Sequence, residues 1–201
     1  MIFHKYRLHF IGIPKNASNS IFTMLSNKTD SHHSHGSYMD EYFNSDEQLI
    51  TSYTSFAIVR NPYDRLVSSY YYNSQENRLL TQYPEINSFK RFIQALYYYE
   101  FPEISNDPSC NPQYKFISIH KHVLVDHVLR YETLNEDWRE FATTYNSNIE
   151  NKFKIGINLV KKNETENRIQ DFMSLYDTTS LKLTNEFFAK DFELFNYSMI
   201  V

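Results

Sequence analysis

With 201 residues, 41% of them hydrophobic, the chain is long enough to bury a core and too apolar for general disorder. Its net charge of -4 argues against a broad nucleic-acid-binding surface, and its one cysteine, Cys110, excludes an internal disulfide. No apolar run approaches the ~20 residues of a membrane-spanning helix, and the first residues run almost directly into an apolar stretch, so a soluble, cytoplasmic protein without a signal peptide is expected.

In chain order, the apolar run 8–13 predicts a central strand ending in a polar turn, and 18–25 a helix with Ile21, Phe22 and Leu25 on one face. Residues 26–46 are rich in Ser, His, Asp and Asn and read as loop, with a short helix near 38–43. A second buried strand comes at 55–59. Asn61 suits an N-cap and Pro62 the first position of a helix that runs through Tyr70, Tyr71 and Tyr72. Phe89, Phe92, Ile93 and Leu96 have helical spacing within 88–99, whereas Pro102, Pro108 and Pro112 make 101–112 irregular. A strand is expected within 123–130 and a helix over 134–145. Polar loop occupies 146–164, then helices 164–176 and 180–195. Strands separated by helices, with no repeat or linker, predict a single α/β domain over 1–201 with a mainly parallel sheet.

Two strand-to-helix turns carry chemistry. In the first, the helix N-terminus offers N–H groups and a favourable dipole to an anion; Lys15 adds a point charge, and Ser18, Asn19 and Ser20 add donors. It is not a Walker A loop, because the lysine precedes the hydroxyls and the second glycine is missing. A capped turn with an exposed lysine is the plain alternative. In the second, Arg60 stands at the carboxyl end of its strand, where open α/β sheets bind ligands, and can offer a phosphate a planar donor fork. The alternative there is a surface ion pair, which fits Arg65, beside Asp64 on the helix, better than Arg60. Together the turns suggest a ligand with two separate anionic groups.

Pro14-Lys15-Asn16-Ala17-Ser18-Asn19-Ser20 resembles the 5′-phosphosulfate loop of sulfotransferases that use 3′-phosphoadenosine 5′-phosphosulfate (PAPS), and Val59-Arg60-Asn61-Pro62-Tyr63-Asp64-Arg65-Leu66-Val67-Ser68 resembles their 3′-phosphate element. The segments 128–138 and 191–197 resemble the family's later strand-and-helix segment and its C-terminal helix. The likeness is to carbohydrate sulfotransferases, and most to the uronosyl (heparan sulfate) 2-O-sulfotransferase branch. It implies a P-loop-like central parallel sheet flanked by helices, and PAPS as co-substrate without a metal. By the same resemblance Lys15, Asn16, Ala17, Ser18, Asn19 and Ser20 would hold the phosphosulfate, and Arg60 and Ser68 the 3′-phosphate. Asn19 stands where the family more often has threonine or serine.

Between the turns lies His32-His33-Ser34-His35-Gly36-Ser37-Tyr38. Sulfuryl transfer to an alcohol needs a base, and histidine suits that near neutral pH. The run resembles an H-x-H-x-S-Y element of the uronosyl branch, which makes His33 the base and His35 a supporting group; a register slip exchanges the two. A solvated loop is the alternative. Metal binding is not expected, since no cysteine accompanies these histidines and only Asp40 and Glu41 are near. His120, His122 and His127 lack such context and read as structural. Lys161, Lys162 and Asn163 fit a solvated polar loop better than a phosphate contact. Arg130 and Glu132 suit a buried pair or an acceptor cleft, and Gln113 precedes an aromatic as a family glutamine near the acceptor does. The tyrosines at 70–72 and 97–99 read as helix packing with some rings left to stack on sugars. The function expected is in-line sulfuryl transfer from PAPS to a hydroxyl of a glycan or other acceptor, with Lys15 stabilising the leaving phosphate. A P-loop kinase-like phosphotransferase and a catalytically silent nucleotide- or glycan-binding protein are the alternatives.

Overall fold

The computed structural model describes residues 1–26, 35–38, 40, 51–159 and 171–200. In chain order these form strands β1 (Ile2–Phe3) and β2 (Leu8–Ile11), helix α1 (Ser18–Leu25), strand β3 (Thr54–Val59), helices α2 (Pro62–Asn73) and α3 (Phe89–Tyr97), and the short turns α4 (Pro102–Ser105) and α5 (Tyr114–Ile117). Then come strands β4 (Ser118–Ile119), β5 (His122–Val123) and β6 (His127–Arg130), and helices α6 (Leu134–Asn148), α7 (Thr178–Phe187) and α8 (Ala189–Leu194). Contacts divide the chain into two compact units, Met1–Arg60 with Lys115–Glu166, and Asn61–Tyr114 with Asn167–Val201. Among the described residues no helix is long and apolar enough to cross a membrane.

The first unit is a four-stranded sheet in the order β1-β2-β3-β6, with β2, β3 and β6 parallel and β1 antiparallel on the edge. β2 and β3 read as continuous apolar runs because both their faces are covered. The register sets Phe10 opposite Phe56, whose rings stack at 4.7 Å, and Phe56 in turn meets Trp138 and Phe141 of α6 at 6.0 and 5.0 Å. Each such pair adds about 0.5–1.5 kcal/mol beyond its area burial. Ile21 and Leu25 of α1 join the same core. Not legible in the sequence were β1, only two residues long, the two strands of the β4–β5 hairpin and the short helical turn α5.

The second unit has a helical core. Asn61 caps α2 by accepting the Tyr63 N–H at 3.0 Å, with Pro62 opening the helix. Tyr70 packs on Phe89 and Phe92 of α3, and Leu183, Phe188 and Phe192 complete the cluster. The expected helix over 180–195 is two helices, broken at Phe188, which is 1% exposed and turned into this core. Arg65 is not on the surface beside Asp64: it is buried and donates to the carbonyls of Asn111 at 2.8 Å and Pro108 at 3.4 Å. Cys110 is buried with it, and burial pushes its thiol up to about 11.

α7 starts with a reciprocal cap. Asp177 accepts the Ser180 N–H at 2.7 Å, the Asp177 N–H returns to Ser180 Oγ at 2.8 Å, and Lys90 Nζ sits 2.7 Å from the same carboxylate. Lys90 first, and then Ser180, hold that carboxyl well below the usual range. Asp177→Ala should cost about 1 kcal/mol in a urea titration at pH 7, the usual loss of a cap. Because the folded carboxyl titrates below the unfolded one, the contribution is full above about pH 4 and lost as pH falls further.

Candidate active site

Because β2, β3 and β6 are parallel neighbours, the chain leaves all three along one edge of the sheet: the loop 12–17 after β2, Arg60 after β3 and Tyr131 after β6. This carboxyl edge is where open α/β sheets bind ligands.

The loop has an unusual backbone. Lys15 and Ala17 have φ of 69° and 61°, left-handed values at two non-glycine residues flanking Asn16. Each costs about 1–2 kcal/mol and persists only when its surroundings enforce it. Here they do. Asn16 is fully buried and donates from Nδ2 to the Ile58 carbonyl at 2.8 Å, tying the loop to β3, while Ser18 Oγ donates to the Ile13 carbonyl at 2.9 Å. Backbone that alternates in hand this way forms the concavity of N–H groups that takes up anions. The N–H groups of Ala17, Ser18 and Asn19 donate to no described residue, and α1 begins at this point with its dipole directed to the same place.

Arg60 belongs to the same assembly. It is 5% exposed, donates from Nη1 to the Lys15 carbonyl at 2.8 Å, and lies over the Tyr131 ring at 4.2 Å. Tyr131 is itself anchored, its N–H reaching the Val59 carbonyl at 2.8 Å. The guanidinium is therefore pre-oriented and at the same time braces the left-handed turn at Lys15.

His35 closes on this edge from the other side of α1 in sequence. Its Nδ1 lies 2.6 Å from the Gly12 carbonyl, where the loop begins. A carbonyl oxygen only accepts, so Nδ1 carries the proton and the lone pair of the neutral ring is on Nε2. A backbone contact of this kind fixes both tautomer and ring orientation, as a general base requires.

A strand-to-helix loop with two left-handed residues, a buried arginine braced against it and a histidine held on the Gly12 carbonyl share one sheet edge. The model of the sulfotransferase family matches residues 1–198, through both compact units. The chain belongs to the sulfotransferase family. No curated protein and no solved structure gives a significant match. Membership makes the protein a transferase that modifies a hydroxyl-bearing acceptor.

The remaining candidates of this sulfotransferase are spread over both units. Asn19 is exposed on α1 and Ser20 is buried. Ser68 lies on α2, half-buried, in the second unit. His33, Lys161, Lys162 and Asn163 lie outside the described residues. His120 and His122 are exposed, and His127 packs edge-on against Phe141 at 5.1 Å. Glu132 is exposed, so Arg130 and Glu132 are not a buried pair. Gln113 is fully buried; its N–H and its side chain both bond Asp191, which makes it part of the second unit's core. Of the tyrosines, Tyr70 packs inside while Tyr71, Tyr98 and Tyr99 are 41%, 61% and 57% exposed. Sequence reasoning missed two participants: Tyr131, the platform under Arg60, and His9, whose buried ring meets that of Tyr38 at 5.6 Å. Neither carries a local signal, since each is defined by a distant partner.

Proposed function

We propose that this sulfotransferase moves a sulfuryl group from PAPS to a carbohydrate hydroxyl by in-line displacement, on a P-loop-like scaffold. The loop after β2 carries this reading: its left-handed turns at Lys15 and Ala17 and its three N–H groups without a described acceptor suit an anionic donor. Lys15, Asn16, Ala17, Ser18, Asn19 and Ser20 would hold the phosphosulfate end. Arg60 and Ser68 would hold the 3′-phosphate. PAPS supplies an activated sulfuryl group whose S–O bond to phosphate breaks as the bond to the acceptor oxygen forms. His35 takes the acceptor proton on Nε2, the nitrogen left basic by its Gly12 contact. His33, the sequence's first candidate for the base, lies outside the described residues; the reading adopted is the alternative register, in which His35 is the base. Lys15 and the loop N–H groups stabilise the charge that returns to the phosphate.

The test is labelled-sulfate transfer from PAPS to a mixed panel of glycans, glycosides and a tyrosyl peptide, beside thermal shifts with 3′,5′-adenosine bisphosphate and with Mg·ATP. Transfer to a glycan and a shift with the bisphosphate alone are expected. A shift with Mg·ATP alone would overturn the donor assignment. Bisphosphate binding with no transfer across the panel would make the protein a binder.

A further inference from the structure

The base must be held as well as supplied, and His35 is an exposed residue. A group displaced by about 1 Å loses much of its catalytic effect, so something fixed must locate it. Three observations identify what does. First, Ser37 and Asp40 close a reciprocal turn: the Ser37 N–H and Oγ donate to Asp40 Oδ2 at 3.2 and 2.7 Å, and the Asp40 N–H returns to Ser37 Oγ at 3.1 Å. These bonds tie Ser37 and Asp40 to each other but, being local, do not say where the pair sits. Second, the Tyr38 ring lies 5.6 Å from that of His9, tilted by 38°, and His9 is wholly buried in β2. Third, His9 pairs in register with Ser55, whose N–H and Oγ both bind Asp126 Oδ2 at 2.7 Å, and Asp126 in turn acts electrostatically on the Tyr38 hydroxyl. Tyr38 thus rests on β2 at His9, the residue that pairs with β3 at Ser55.

The two anchor points match. His9, in β2, and Gly12, just past the end of that strand, are three residues apart, about 10 Å at strand rise. Tyr38 and His35 are three residues apart in the opposite direction. With Tyr38 on His9 and Ser37 tied to Asp40, His35 is delivered to the Gly12 carbonyl, next to the loop that carries Lys15.

We propose that Tyr38 is a positioning residue, its ring seated on His9 so that the Ser37–Asp40 turn holds His35 Nδ1 on the Gly12 carbonyl. This rests on the reading of His35 as the base. The ring does the work: packing on His9 needs an aromatic face, and the hydroxyl is secondary.

The test is the tautomer of His35, read in two-bond ¹H–¹⁵N spectra of histidine-labelled protein at pH 8, above the ordinary histidine pKa of about 6.5. His35→Gln assigns the signal. The wild type should show the Nδ1–H tautomer, Tyr38→Phe should keep it, and Tyr38→Ala and Tyr38→Leu should lose it. Binding of 3′,5′-adenosine bisphosphate reports that each variant is folded, and Tyr38→Leu serves if Tyr38→Ala is not. With the panel acceptor that supports turnover, kcat should fall about tenfold in Tyr38→Ala or Tyr38→Leu, KM for PAPS should stay put, and Tyr38→Phe should remain within about twofold of the parent. A wild type without the Nδ1–H signal overturns the proposal. So does a folded leucine or alanine variant that retains it. Parental turnover in His35→Gln would instead sink the base assignment alone, because the tautomer signal judges Tyr38 independently of turnover.

Discussion

Lys15→Ala should lower sulfuryl transfer from PAPS by about 10²–10³ while leaving stability within about 0.5 kcal/mol of the parent. The separation comes from how the loop is held. Its left-handed turn at φ 69° strains alanine as it strains lysine, so the substitution leaves that cost unchanged. Arg60 grips the Lys15 carbonyl, not its side chain, and the ties from Asn16 to Ile58 and from Ser18 to Ile13 do not involve the ammonium. On the proposed reading, what the variant removes is a cation beside the bond that breaks. Charge returns to the leaving phosphate mainly in the transition state, so kcat should fall more than the affinity for donor does. Initial rates at saturating PAPS, read beside the thermal shift with 3′,5′-adenosine bisphosphate, give both numbers. Parental turnover in a folded Lys15→Ala protein would refute the assigned role.

The contrast between what the sequence shows and what it hides has a physical pattern. β2, α1, β3 and α2 were legible because their signals are local: apolar runs of strand length, and an N-cap followed by proline. Arg60 was legible at a strand end for the same reason, but its contacts were not foreseeable. Tyr131 is 71 positions away, and the Lys15 carbonyl is available only because β2 and β3 are parallel neighbours. Asn16 reads as a ligand donor beside a lysine, and only the fold shows its amide committed to Ile58, 42 residues on. His35 was visible as a candidate, whereas its tautomer depends on a carbonyl 23 residues back. The break at Phe188 was illegible because nothing in 180–195 forbids a continuous helix; burial of that ring decides it.

The largest effect on stability should come from Asp191→Ala. Asp191 is fully buried on α8 and accepts the N–H groups of Gln113 at 2.8 Å and Tyr114 at 2.9 Å, joining the last helix of the chain to the segment before α5. Burial pushes its carboxyl up to about 6; the two N–H donors and the nearby Arg65 guanidinium pull the other way, and at pH 7 the group is ionised. Alanine strands one buried and one partly buried N–H group and removes a carboxylate that acts on the buried Arg65 guanidinium. Such losses cost about 3–5 kcal/mol, enough to lower the melting temperature by roughly 10 °C in a chain of this size. The pH dependence adds a second signature. The folded carboxyl binds its proton at higher pH than the unfolded one, near 3.9, so proton uptake stabilises the folded state below that value and the benefit is lost as pH rises through 6. The stability gap between parent and Asp191→Ala should therefore widen as pH falls from 7 to 4, opposite in sign to the ordinary behaviour of a salt-bridged carboxylate. Urea titrations of both proteins at pH 4, 5.5 and 7 measure it. A gap that narrows toward acid would mean that Arg65 and the N–H donors outweigh burial, and that Asp191 is a depressed carboxylate.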